Sequence, residues 1–241
     1  MILYLVFLIS FTLIVVLFAV FRMNIINTST VALLISGRST DFEKNEDHLI
    51  EFIRSLEKQG CKVDTYISID KHLSTNVPNV KLYKVEQELA NTAEVNYEMD
   101  RVNRLYESVE NKNKYDWFVR INPDSRIVEF ALITEWHTEK VSAKLRFSSD
   151  AELIDPHAFS NEYPAYAKVN VADDRVYIVP KSIHNKVFRS VRGDYMYPTD
   201  PSLAYYRPEY QFYNMLSSNG VEIHPIVWIG GSYRETWYKS V

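Results

Sequence analysis

The sequence predicts an α/β domain with a mostly parallel central sheet, preceded by a transmembrane helix, and three observations carry this. Residues 31–37 form a continuous apolar run closed by Gly37, the pattern of a strand buried on both faces. Residues 47–59 then place Leu49, Ile50, Phe52, Ile53 and Leu56 at helical spacing with Gly60 as the stop, and residues 62–68 return to a strand pattern. Strand, helix and strand joined by short connections imply a right-handed parallel crossover. Residues 2–21, finally, carry no charge, and a helix of that length spans about 30 Å of hydrocarbon.

These patterns divide the chain into an anchor over residues 1–22, a short polar linker over 23–30 and one α/β domain over 31–241. The last stretch is long enough for one sizeable core and too short for two ordinary ones. A cleaved signal peptide fits the start less well. No basic residue precedes the apolar run, the run is longer than a usual signal core, and no small-x-small cleavage site closes it. Arg22 and Arg38 follow the span, so the positive-inside rule favours a single-pass protein whose domain faces the cytoplasm. The sequon Asn27-Thr28-Ser29 lies close to the span and does not settle the side.

Composition removes several function classes. The net charge is -4 and no lysine or arginine block occurs, which argues against a nucleic-acid surface. Cys61 is the only cysteine, so no intramolecular disulfide can form, and its place between a helix and a strand suits a small core residue better than a nucleophile. The 17 tyrosines and four tryptophans can stack on sugar rings and bases, although aromatic rings also dominate ordinary interiors. Neither a Gly-x-Ser-x-Gly elbow nor a Gly-x-x-x-x-Gly-Lys-Ser/Thr loop is present, which argues against a hydrolase or a P-loop kinase.

Further along, residues 79–85 suit a short strand. Residues 96–111 suit a helix with Met99, Val102, Leu105, Tyr106 and Val109 on one face. The strand Trp117-Phe118-Val119-Arg120-Ile121 then completes a β-α-β-β-α-β half, a sheet typical of nucleotide-binding α/β domains. From Ile127 the pattern is less regular and is expected to build a second substrate pocket. It includes a short helix or loop over 132–138, a strand over 141–147, an aromatic loop over 161–168 and a strand over 173–180 entered from an acidic pair. Helices are expected over 181–190 and over 208–219, the latter with Pro208 at its start and Gly220 beyond its end. A last strand over 221–228 leads to a tight turn at Gly230-Gly231.

The most informative position is Asp124. Pro123 cannot donate to a ladder, so strand pairing should stop near Asn122 and leave Asp124 at the carboxyl edge of the sheet. Ligands bind at that edge in open α/β sheets, and a hard oxygen ligand beside an arginine suits a divalent cation carrying a diphosphate. The alternative is an ordinary turn, since Asn, Pro, Asp and Ser are all common turn formers.

The ordered series Ala32-Leu33-Leu34-Ile35-Ser36-Gly37-Arg38, Val63-Asp64-Thr65-Tyr66-Ile67-Ser68, Tyr115 through Asp124, Asp174-Arg175-Val176-Tyr177-Ile178-Val179-Pro180 and Pro208-Glu209-Tyr210-Gln211 resembles a small GT-A-fold glycosyltransferase. The type it resembles is the divergent single-domain one of bacteria, algae and their large DNA viruses. The resemblance spans residues 31–234 and implies a single GT-A-like, Rossmann-like domain that uses a nucleotide-sugar donor with Mn2+ or Mg2+. It places Asn122-Pro123-Asp124 where a short acidic motif binds the diphosphate through metal. Asn122 therefore stands where the usual first aspartate would be.

Under that resemblance Asp124 is the metal ligand, with His224 as a possible second one from the last strand. Gly37, Arg38 and Arg120 would meet the donor. Arg120 has the alternative of an ion pair with Asp116, and Arg38 that of a solvated loop cation. Asp173, Asp174 and Glu209 are candidates for the base that takes the acceptor proton, with Asp174 and Glu209 ranked first. Glu209 is equally explained as a carboxylate favoured by the dipole of its helix. The implied function is a membrane-anchored glycosyltransferase acting on a glycan or lipid-linked acceptor. The competing one is a nucleotide-sugar or glycan-binding module of the same fold without catalysis, which the missing first aspartate supports.

Overall fold

The computed structural model describes residues 28–86, 94–129, 132–147, 171–188, 207–226 and 229–232. Among these, no helix is long and apolar enough to cross a membrane. The expected anchor, the sequon's Asn27 and the aromatic loop over 161–168 lie outside them.

Among the described residues the main sheet has seven strands: β1 (Thr30–Gly37), β2 (Lys62–Ile69), β3 (Val80–Val85), β4 (Trp117–Ile121), β6 (Val141–Phe147), β7 (Val171–Pro180) and β8 (Ile223–Pro225). Their spatial order is β3-β2-β1-β4-β7-β6-β8. β3, β2, β1 and β4 run parallel, β7 is antiparallel to both of its neighbours, and β8 is parallel to β6. A separate ribbon pairs β5 (Ser125–Glu129) with β9 (Ile229–Ser232). The expected mixed α/β class with a mostly parallel sheet is thus observed. The order β1, helix, β2, β3, helix, β4 reproduces the expected half.

Helices cover both faces. α1 (Ser39–Lys58) packs Phe42, Leu49, Phe52, Ile53 and Leu56 on one side, against Val31, Leu33, Ile35, Val119 and Ile121. α2 (Glu94–Glu107), α3 (His184–Phe188) and α4 (Arg207–Ser218) cover the other, where Leu105, Phe188, Phe212 and Leu216 meet Leu34, Phe118 and Tyr177. Alternate residues of β1 and β4 therefore feed two cores. This is why both strands read as continuous apolar runs rather than as alternating ones.

Several expectations need correction. α1 begins at Ser39, well before residue 47, because Phe42 and Asn45 continue its buried stripe one and two turns earlier. Asn45 is tolerated there because its side-chain amide donates to the Asp41 carbonyl at 2.9 Å. The charged residues around Asn45 hid that stripe in the sequence. The second helix ends at Glu107 rather than near 111, and Asn111 adopts a left-handed φ of 47° before a 3-10 turn at Lys112–Lys114. Of the expected strand over 221–228, the described residues 221–226 are in a strand only over Ile223–Pro225, and 227–228 lie outside the described residues. Gly230 and Gly231 are not a turn but part of β9, drawn into a ladder by β5. Cys61 is a buried core residue, and burial pushes its thiol up to about 11.

The amino edge of the sheet is fastened by carboxylates. Asp116 accepts from the Thr30 backbone N–H and hydroxyl, both at 2.8 Å, so it is not the partner of Arg120. Asp64 is almost fully buried. It accepts from Lys114 at 2.9 Å and the Tyr115 hydroxyl at 2.8 Å, pairs with Lys81 at 3.3 Å, and Tyr115 in turn bonds Tyr66 at 2.6 Å. Burial alone would raise the Asp64 pKa, but the bonds from Lys114, Tyr115 and Lys81 outweigh it and hold the carboxyl below the usual aspartate range. The folded-state pKa then lies below the unfolded one. This stabilisation is complete above the ordinary aspartate pKa and is lost as pH falls through the depressed value. Asp64→Asn is expected to cost about 2 kcal/mol at neutral pH and to flatten the acid limb of stability. Urea unfolding from neutral to acid pH checks both, and an unchanged acid limb would remove Asp64 from this role.

Candidate active site at the carboxyl edge of the sheet

Four parallel strands end at one edge, and the loops leaving them hold Gly37, Arg38, Asp70, Glu86 and the Asn122-Pro123-Asp124 turn. β7 runs the opposite way, so its amino-terminal half, with Asp173, Asp174 and Arg175, arrives at the same edge. The β4–β7 ladder ends at the pair Ile121 and Val176, and one step beyond it the Asn122 N–H donates to the Arg175 carbonyl at 2.8 Å.

β7 is irregular at that point. Tyr177 faces Ala143 of β6 and Ala172 faces Leu145, so the stretch 172–177 lies opposite only 143–145. The surplus forms a bulge containing Asp173, Asp174 and Arg175. It is stabilised by the Arg175 N–H donating to Asp173 Oδ1 at 2.9 Å. Bulges of this kind re-aim side chains beside sites.

Gly37 sets the width of the edge between β1 and β4. A Cβ there would lie 2.5 Å from Pro123 Cδ and 2.7 Å from Asn122 Oδ1, so the two loops meet closer than any larger residue allows. Next along, Arg38 is half-buried at the boundary of α1, where its carbonyl accepts from Phe42 N at 3.1 Å. Asp70, past the end of β2, accepts from the Ser39 N–H at 2.5 Å and so caps α1 from another strand. Burial works against ionisation of Asp70, but the Ser39 amide and hydroxyl and nearby Arg101 more than offset it and lower its pKa. Arg101 of α2 is fully buried and donates to the carbonyls of Gly37 and, at 3.3 Å, Glu86, bridging the ends of β1 and β3.

Asp124 is the centre of this edge. Its Oδ1 is buried and has no hydrogen-bond partner among the described residues, while its backbone N–H donates to Asn122 Oδ1 at 3.4 Å. Burial raises its pKa most. Arg175 and then Arg120 oppose the rise, and Asp41 and Asp174 add to it. These four charges come from α1, β4 and β7, so the fold gathers them from distant parts of the chain.

The sequence candidates thus separate. Asp124, Asp174, Gly37, Arg38 and Arg120 come to one edge. Arg120, however, is only 2% exposed and its guanidinium donates to the Arg175 carbonyl at 2.5 Å, so it lies beneath the edge rather than in it. Asp173 is wholly buried and spends Oδ1 on the bulge. Glu209 is buried in the first turn of α4, one turn before Phe212, whose ring stacks on Tyr177 at 4.5 Å. α4 leads down to the start of β8, so its amino terminus, with Glu209, lies toward the same edge.

His224 is not brought to Asp124. It pairs with Ser142, hence lies level with Ile178 and Val119, three strands from β4 or about 14 Å at normal strand spacing. There it packs on His137 at 5.2 Å between ring centroids. Among the described residues, no three His, Cys, Asp or Glu side chains converge to hold a cation by themselves. Two members of the site were missed in the sequence, Asp41 and Arg175. Asp41 stood in a polar stretch before the predicted helix over 47–59, and Arg175 in a strand whose direction the sequence does not reveal.

No family model and no curated protein matches the chain. It is similar to the solved structure of a Drosophila β-1,4-galactosyltransferase 7 mutant in complex with manganese, UDP-Gal and xylobiose. The identity is 11% and the TM-score 0.44, over 82% of this chain and 65% of that one, less than two thirds of its length. It is also similar to galactosyltransferase LgtC in complex with donor and acceptor sugar analogues, at 8% identity and TM-score 0.42, over 80% and 72% of the two chains. At these values the likeness concerns the course of the chain and assigns no residue a role.

Gly37→Ala is expected to push the Pro123 turn away from β1 and cost about 1–3 kcal/mol by overpacking. Thermal unfolding checks it, and a variant as stable as the parent would show that the edge can widen freely.

Proposed function

We propose that the chain is a membrane-anchored glycosyltransferase of GT-A-like fold. It moves a sugar from a nucleotide-sugar donor to a glycan or lipid-linked acceptor, with Mn2+ or Mg2+ at Asp124. The observation that carries this reading is the buried Asp124 Oδ1, which has no donor among the described residues although burial of an unpaired carboxylate oxygen is costly. A hard divalent cation is the partner such an oxygen suits. Mg2+ sites commonly use one or two protein carboxylates and take further oxygens from substrate phosphates. Asp124, the Asn122 carbonyl and a second carboxylate from Asp174 or Asp41 match that donor set. When bound, the cation supplies charge neutralisation for the departing diphosphate.

The chain's own residues supply the rest. Arg175 adds a fixed positive charge beside Asp124 for the same diphosphate. Gly37 and Arg38, at the end of β1, would border the nucleotide. Asp174, in the bulge, takes the proton of the acceptor hydroxyl as its oxygen bonds the anomeric carbon and the bond to the diphosphate oxygen breaks. Glu209 is the alternative base, from the amino terminus of α4. The apolar run 2–21 holds the domain at a membrane, weakly favouring the cytoplasmic side.

One observation favours a second reading. Asn122 occupies the place of a first carboxylate and already takes a bond from Asp124 N, which weakens the acidic motif and suits a module that binds a nucleotide sugar without turnover.

Isothermal titration of the full chain in detergent with nucleoside diphosphates and nucleotide sugars, with and without Mn2+, separates these readings. One nucleotide should bind only with the cation, and Asp124→Ala should weaken it at least about tenfold. Binding without turnover favours the second reading, and cation dependence and turnover both intact in Asp124→Ala would remove the central element of the first. Because Asp124 binds its proton more tightly than an ordinary aspartate, cation affinity should start to fall on acidification at a pH above the usual aspartate range. A titration of Mn2+ affinity against pH checks that sign.

A further inference from the structure

Of the two arginines in the sequence-predicted donor site, Arg120 is the one that the fold buries, and its surroundings give it a different task. Val119 and Ile121 face the α1 core while Phe118 faces the other, so strand alternation turns Arg120 toward α2 and α4. A guanidinium buried to this depth requires bonded partners. Among the described residues its hydrogen-bond partner is the carbonyl of Arg175, in the β7 bulge. That same oxygen accepts the Asn122 N–H, so residues on either side of Ile121 grip one carbonyl from two directions. Asp173 closes the bulge from within. The carbonyl so held belongs to the residue whose side-chain charge acts most strongly on Asp124.

We propose that Arg120 is a positioning residue: by tying the Arg175 carbonyl to the end of β4, it fixes the Asp173–Asp174–Arg175 bulge against the Asn122-Pro123-Asp124 turn. This sets where Arg175 and Asp174 stand relative to Asp124. The inference rests on the proposed function only for what the positioned groups act upon. The clamp is a property of β4 and β7. Arg120 contributes no ligand contact, and its distinctive requirement is a buried donor that reaches a carbonyl across the sheet. Lysine keeps the charge and a donor, and methionine keeps the volume with neither.

The test uses the full chain in detergent with Arg120→Met and Arg120→Lys, each measured in two ways. Amide hydrogen exchange at Asn122 should speed up about tenfold in Arg120→Met relative to Val119 and Leu33, whose ladder bonds are untouched, and Arg120→Lys should recover part of that protection. Nucleoside diphosphate affinity in the presence of Mn2+ should fall about tenfold in Arg120→Met and less in Arg120→Lys. Unchanged Asn122 exchange in a folded Arg120→Met overturns the clamp, and faster exchange with undiminished affinity overturns the positioning role. If Arg120→Met does not fold, the Asn122 to Val119 exchange ratio in Arg120→Lys decides. Should the parent chain bind no nucleotide at all, the functional reading fails by itself, and exchange at Asn122 still decides the clamp.

Discussion

The antiparallel pairing of β7 against β4 is the constraint on which the rest of this edge depends. Had β7 run parallel, its first residues would sit at the amino edge, and Asp174 and Arg175 would be a sheet's length from Asp124. Because it runs backwards, the start of one strand meets the end of the other. The ladder stops at Ile121 and Val176, and the backbone polar groups just past it must still find partners. The Arg175 carbonyl meets that demand for the Asn122 N–H and also accepts from the buried Arg120 guanidinium.

Close approach on the other flank completes the site. β1 and β4 are parallel neighbours, and their exit loops would collide if Gly37 carried a side chain. Pro123 can lie against Gly37 because the β1–β4 ladder ends at Ile35 and Ile121, before either residue is reached. Asp124 is thereby lowered between two strand ends instead of projecting into solvent, which accounts for both its buried oxygen and its raised pKa. α1 reinforces the geometry from above: Asp70 holds its first turn, and Asp41 is carried by that turn. The same packing that makes the edge narrow thus concentrates charge in it.

Local pattern was a good guide where burial follows a single period. The strands β1, β2, β4 and β6, the helix that carries Val102, Leu105 and Tyr106 on one face and the Pro208-to-Gly220 bracket around α4 were all legible, because each element's residues report its own exposure. Legibility failed where a partner elsewhere in the chain altered the outcome. Asn45 is polar yet lies on the buried face of α1, and Gly230 and Gly231 carry turn chemistry yet form a strand, because β5 offers them a ladder.

For the site, the sequence determined that Asp124 stands at a strand end, since Pro123 halts the ladder by covalent necessity, and that Gly37 closes β1. It also determined that an acidic pair enters a strand. Only the tertiary structure decided that this strand runs backwards, that its bulge brings Asp174 and Arg175 to Asp124, that Arg120 lies beneath the edge and that His224 stands three strands away. Residue types and spacing fix which torsions and hydrogen bonds a segment can make. Strand direction and register are fixed by the joint burial of segments far apart in the chain, and no local stretch carries that information.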